Sequence, residues 1–194
     1  MNKSKKTLFL FSVAIVIQIG LLFSFLIKRE FHIRRGTKII VKTVPVDPRS
    51  LFRGDYIHLN YEFSRIDLAE VTSSKEHFYR GDKIFVKLTK RGEEWRPVET
   101  GASPFKDIAS GEVMIRGAVT GHQWLWHGRG ERRHKSSVLN VSYGIESYFV
   151  PEGEGKYIED QISQKRVKVE LSIDRGGYAS VCRIFIDGKE VRFQ

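Results

Sequence analysis

A tight corner followed by an unbroken alternation constrains this chain most. After Gly54-Asp55, the residues Ile57, Leu59, Tyr61 and Phe63 fall on one side, and Tyr56, His58, Asn60 and Glu62 on the other. A period of two is the signature of a strand with one buried face. Upstream, Pro48 restricts its own φ and biases Asp47 to extended or turn geometry. Gly54 can take a positive φ, and Asp55 can close the corner with its carboxylate. A helix is therefore excluded here, and a turn leading into a half-buried strand is expected.

The same grammar recurs. Tyr79-Arg80-Gly81-Asp82-Lys83-Ile84 repeats Phe52-Arg53-Gly54-Asp55-Tyr56-Ile57, and Ser110-Gly111-Glu112-Val113 is a looser echo. Strands are predicted over 38–46, 56–63, 83–88, 95–98, 112–119, 138–143, 167–173 and 178–186, with a strand end at 148–150. A bulge is expected near Arg116-Gly117. Ile66, Leu68, Ala69 and Val71 suggest a short helical turn in 64–78, and 99–109 reads as loop. Residues 156–164 place Tyr157, Ile158 and Ile162 near one helical face. Asp187-Gly188 is a two-residue hairpin signal. Short strands at this turn density predict a mainly β, antiparallel domain with one short helix.

One segment does not belong to such a domain. Thr7–Ile27 carries no charged residue, and Lys3, Lys5 and Lys6 precede it. About 21 apolar residues suffice to span a bilayer as a helix. Ser24-Phe25-Leu26-Ile27 lacks the small residue that a signal-peptide cleavage site needs, so an uncleaved anchor is expected. The organisation predicted is a cytoplasmic 1–6, a transmembrane helix 7–27, a charged tether 28–37 and an extracytoplasmic β-rich domain 38–194. That places the chain as a single-pass protein of a bacterial cytoplasmic (inner) membrane. Its contacts are the lipid bilayer through 7–27 and an integral membrane protein partner. The formal charge of +10 suits an anionic envelope surface. No nucleic-acid-binding motif accompanies it, so nucleic acid is not expected. Cys182 is the sole cysteine, so no internal disulfide exists, and its alternating strand predicts a buried thiol.

Gly54-Asp55-Tyr56, two residues, Leu59, one residue and Tyr61 spell GDYxxLxY in full. The chain resembles the uncharacterised bacterial membrane-anchored proteins named after that motif, the GDYXXLXY family. Asp47, Pro48 and Arg49 before it, and Pro151, Glu152 and Gly153 far downstream, also look like that family. The resemblance implies a membrane-anchored β-rich domain and brings no activity with it.

Candidate chemistry is sparse. The Leu51-x-x-Gly54-Asp55 spacing also resembles the strand start of signal-peptidase-type serine proteases, which keeps a membrane-anchored hydrolase as an alternative. Their nucleophile position falls here on Val46, which has no nucleophilic atom. Ser50 would have to serve instead, with Lys83 or Lys87 as base. The RGD triplets at 53–55 and 80–82 each lead directly into a strand, which makes them turns rather than adhesion loops. His122, His127 and His134 show no metal-ligand spacing, and no cofactor or metal is expected. Glu152 and Glu154 in their Gly-rich turn read as solvated acids, with a carboxylate pair for acid–base work as the sharper alternative.

Two surfaces are candidates for contact. Tyr56, His58, Asn60 and Tyr61 form either a binding surface or a sheet face covered by 64–78. Trp124 and Trp126, running into Arg129, Arg132 and Arg133, form either an interface patch or a strand followed by a solvated loop. The expected role is a non-enzymatic accessory or docking component of a cell-envelope complex.

Overall fold

A computed structural model describes residues 11–24, 35–45, 56–75, 77–127 and 134–192, with the backbone alone at 125–127 and 134–135. Residues 11–24 are helical (α1). Strands follow as β1 (Thr37–Val44), β2 (Tyr56–His58), β3 (Asn60–Tyr61), β4 (Arg65–Asp67), β5 (Thr72–Ser73), β6 (Lys83–Arg91), β7 (Glu94–Gly101), β8 (Glu112–His127), β9 (His134–Ser142) and β10 (Ser147–Phe149). Helix α2 (Gly155–Ser163) leads to β11 (Val167–Ile173), β12 (Ala179–Ile186) and β13 (Lys189–Glu190).

The described strands make a five-stranded sheet, β13-β12-β11-β1-β3, and a six-stranded sheet, β4-β9-β8-β6-β7-β5, with β10 and β2 as a separate pair. All pairings are antiparallel except the short β5–β7 contact. Ile39, Val41, Val169 and Leu171 from one sheet meet Ile84, Val86, Leu88, Ile115 and Leu139 from the other in one continuous core. The mainly β, antiparallel expectation therefore holds. Burial of such β-branched and aliphatic side chains contributes about 1.5–3 kcal/mol each before chain entropy is set against it.

Several expectations change. The predicted 56–63 strand is two strands and a 3-10 turn (Glu62–Ser64), although its buried face is as predicted. Residues 64–78 supply β4 and β5 rather than a helical turn, because Ile66 pairs with Leu139 and is fully buried. The first strand ends at Val44, one residue before Pro45, which has no N–H to continue the ladder. Strand β7 runs on to Gly101, into the stretch read as loop.

The irregularity in β8 lies between Val119 and Gly121, not at Arg116-Gly117; Gly117 instead admits Val141 and Ser142 at close range. Tyr157 is exposed, while Gly155, Ile158 and Ile162 are the buried residues of α2. Cys182 is half-buried, not buried. Arg183 pairs with Glu170 and Val181 with Leu171, so Cys182 is the extra residue of a β-bulge with no cross-strand partner. Burial and the nearby Glu170 push its thiol pKa up, away from the reactive thiolate.

No helix among the described residues is long and apolar enough to cross a membrane. Of the expected 7–27 span, residues 11–24 are described, and every one of them is exposed. Their exposed side chains include Phe11, Val16, Ile17, Leu21, Leu22 and Phe23.

Candidate interaction site

The motif strand changes partners half-way. Tyr56, Ile57 and His58 pair with Phe149, Tyr148 and Ser147 of β10. Two residues later, Asn60 and Tyr61 pair with Val44 and Thr43 of β1. Leu59 sits at the handover, and its N–H donates to the Glu146 carbonyl at 2.7 Å. An extended backbone keeps its side-chain alternation through such a change of partner, so Ile57, Leu59 and Tyr61 all remain inside.

Each inward motif residue has a structural task. The Tyr61 hydroxyl donates to the Ile145 carbonyl at 2.7 Å, and its ring stacks on Phe63 with centroids 5.4 Å apart. Phe63 meets Tyr143 edge-on at 5.2 Å, and the Tyr143 hydroxyl donates back to the Phe63 carbonyl at 2.7 Å. The two tyrosines thus clamp the β9–β10 corner from both sides. That corner is further closed by Glu146, whose carboxylate accepts from Ser142 Oγ at 2.9 Å, from the Gly144 N–H at 2.9 Å and from the Tyr143 N–H. Burial pushes both tyrosine pKa values well above the ordinary phenol range, with the Glu146 charge as the lesser cause.

Tyr56 is different. It is 50% exposed and meets Phe149, 60% exposed, edge-on at 4.8 Å. His58 and Ser147 lie exposed along the same strand pair, and Asn60 is half-buried. The outer side of the motif strand is thus an open aromatic surface. It is not covered by residues 64–78, which is one of the two readings the sequence left open.

The chain beyond β10 closes the arrangement. Pro151, Glu152 and Gly153 form the turn from Phe149 into α2, with the Glu154 N–H donating to the Pro151 carbonyl at 3.1 Å. Helix α2 packs back against β2. The Pro151–Gly153 stretch and the motif strand, about ninety residues apart in sequence, therefore belong to one unit, bridged by β10. Glu152 and Glu154 are exposed. Asp47, Pro48, Arg49, Gly54 and Asp55 lie outside the described residues, as does Ser50.

The chain matches the family model described as GDYXXLXY protein over residues 18–184. It belongs to that family. Neither a curated protein nor a solved structure matches it. Of the motif residues that give the family its description, Leu59 and Tyr61 are consumed by the core, while Tyr56 is left facing solvent.

The remaining candidates fall elsewhere. Trp124 stands on β8, 50% exposed, edge-on to His122 at 4.7 Å. His122 Nε2 lies 2.5 Å from Ser137 Oγ on β9. Trp126 is in β8 opposite Lys135, while Arg129, Arg132 and Arg133 lie outside the described residues. Lys87, offered as a base, is ion-paired with Glu99 at 2.6 Å, and that contact holds its ammonium charged. In the second RGD triplet, the Asp82 carboxylate accepts from the Tyr79 N–H at 3.1 Å and binds Lys75 Nζ at 2.5 Å, which is strand-start turn chemistry. Among the described residues no group of three or more His, Cys, Asp or Glu side chains could hold a metal ion.

A groove that the sequence did not signal, of about 1040 Å³, opens between 62–72 and 91–98. Its Glu94 carboxylate is bound by Lys42 at 3.0 Å and Arg96 at 2.9 Å, which lower its pKa. Burial and the Glu94 charge raise that of Glu62. Only the fold brings these walls together, so no spacing in the sequence reveals them.

Proposed function

We propose that this chain is a membrane-anchored accessory domain that docks an integral membrane partner through the Tyr56–Phe149 surface. The observation that carries the reading is that Tyr56, part of the family's own motif, is spent on exposure rather than on the core. A paired tyrosine and phenylalanine at the surface supply the rigid aromatic anchors that concentrate binding energy at protein interfaces. The anchor is the apolar run 7–27, whose described part is helical, carries no charged residue and exposes its apolar side chains, as a helix that faces lipid would. The domain lies outside the cytoplasm of a bacterial inner membrane in this reading, because a short N-terminus ahead of a large domain is the usual arrangement of a signal anchor. The flanking charges, three lysines before the run and Lys28, Arg29, Arg34 and Arg35 after it, are nearly balanced.

The test is crosslinking in native membranes followed by purification of the intact chain. A stoichiometric integral membrane protein should copurify. The double variant Tyr56→Ser/Phe149→Ser should lose it, while the melting temperature stays near that of the parent, because neither ring is buried. Recovery of the partner undiminished with the double variant would overturn the assignment of this surface.

A further inference from the structure

We infer that the β11–β12 turn, Asp174–Tyr178, sits in the lipid headgroup layer and that Arg175 and Tyr178 bind anionic headgroups there. The inference rests on the anchored reading given above and adds the face that the domain turns to the bilayer.

The domain has two poles, set by the direction of β1. At its start, Thr37 pairs with Ile173, and Gly36 lies so close that an added Cβ would stand 3.0 Å from the Ile173 backbone. The chain arriving from the apolar run therefore meets the domain directly beside the Asp174–Tyr178 turn. Only nine residue steps lead from Ile27 to Gly36. Fully extended they reach about 30 Å, and in any more compact form much less. The far pole lies a strand length away, about 26 Å for the eight residues of β1. There Lys42 pairs with Glu94, Lys168 with Glu93 and Arg166 with Asp187.

At the far pole those acids match Lys42, Lys168 and Arg166, while Lys165 and Lys189 are exposed and make no ion pair with a described residue. At the near pole the acids are already engaged. Glu170 is held by Arg183 at 2.7 Å and Lys38 at 3.6 Å. Asp174 Oδ1 accepts from the Gly176 and Tyr178 N–H groups at 2.8 and 2.9 Å. Arg175 is exposed at the tip and makes no ion pair with a described residue.

Tyr178 is 58% exposed, and the Arg116 guanidinium lies over its ring at 4.6 Å and bonds its hydroxyl. The turn is rigid. Its Gly177 carbonyl accepts from the Arg116 N–H at 2.8 Å, and the Asp174 N–H donates to the Tyr178 carbonyl at 3.0 Å. A fixed tyrosine flanked by two arginines, with no apolar patch of its own, matches the chemistry of the headgroup layer better than that of a protein interface core.

The test uses the purified full chain in nanodiscs of phosphatidylcholine alone or with phosphatidylglycerol. A fluorophore is placed at Gly176→Cys or, at the far pole, at Lys189→Cys, each with Cys182→Ser. A headgroup-nitroxide lipid should quench the first site strongly and the second little, and phosphatidylglycerol should widen the difference. Arg175→Gln should lower the ratio of docked to undocked domain about fivefold, the weight of one basic residue at an anionic surface. Arg175→Lys should retain it. Circular dichroism melts of each labelled protein check that the turn variants remain folded.

Equal quenching at both sites in both lipids overturns the headgroup contact while leaving the anchor intact. Quenching at Gly176 that appears only in native membranes, with a partner protein present, overturns it as well. Failure of the chain to enter nanodiscs at all would sink the anchored reading and this inference with it, and that outcome is distinct from the first two.

Discussion

At the residue scale, the motif's tyrosines divide between two tasks that their spacing imposes. Tyr61 shares the parity of Leu59 and is 1% exposed; Tyr56 has the opposite parity and is half exposed. Tyr61→Phe keeps the ring and its stacking on Phe63 but leaves the buried Ile145 carbonyl without its donor. A loss of about 1–3 kcal/mol is expected. Urea unfolding of the variant measures it, and an unchanged midpoint would remove the hydroxyl from the account of the corner. The parity argument is fully legible in the sequence. The acceptors, Ile145 for Tyr61 and Phe63 for Tyr143, are not, since backbone carbonyls carry no sequence signature.

At the element scale, turns with positive φ look alike in sequence and differ in what surrounds them. Gly92 in the β6–β7 turn has φ of 64° and nothing within 4 Å of an added Cβ. Gly177 in the β11–β12 turn has φ of 84°, and its Cβ would stand 3.0 Å from the Arg116 nitrogen. Gly92→Ala should therefore cost only the backbone penalty, about 1 kcal/mol. Gly177→Ala adds a collision with β8 to that penalty, for a total of about 2–4 kcal/mol. Thermal melts of the two variants separate the effects, and equal losses would show that the contact with β8 yields easily. Other elements were hidden for a related reason. Strands β3, β4 and β5 have two or three residues each, too short for any periodicity to emerge, and they exist because β1, β9 and β7 offer them an edge.

At the scale of the whole molecule, the pH profile of stability follows from which groups the fold perturbs. The Asp82 carboxyl is lowered by its bond to Lys75, then by the Tyr79 N–H, and Glu94 by Lys42 and Arg96. A carboxyl with a depressed folded pKa contributes stability above its unfolded value and loses it as pH falls through the folded one. Stability should decline below about pH 4, and added salt should weaken the contribution because these pairs face water. Glu62 opposes the trend in part, since its raised pKa favours the protonated form.

On the alkaline side, Tyr61 and Tyr143 stay protonated in the fold while the unfolded chain ionises near pH 10. Above that value each tyrosine lowers stability by about 1.4 kcal/mol per pH unit. Denaturation midpoints measured across the range check both arms. A flat alkaline arm would mean that the two phenols reach water.

What the sequence determined by itself is everything that rests on near neighbours along the chain. Alternation over 56–63 set the buried face of the motif strand, Asp187-Gly188 set a hairpin turn, and the GDYxxLxY string identified the family. The apolar run 7–27 was equally plain, because it needs no partner to be recognised. Tertiary structure alone decided that the motif strand changes partners at Leu59, that Pro151–Gly153 folds back beside it through β10 and α2, and that Tyr56 and Phe149 meet at the surface. It also decided which turn lies next to the point where the chain enters the domain. These facts depend on pairings between strands dozens of residues apart. Such pairings are selected by the packing of the whole core, and no local preference encodes them.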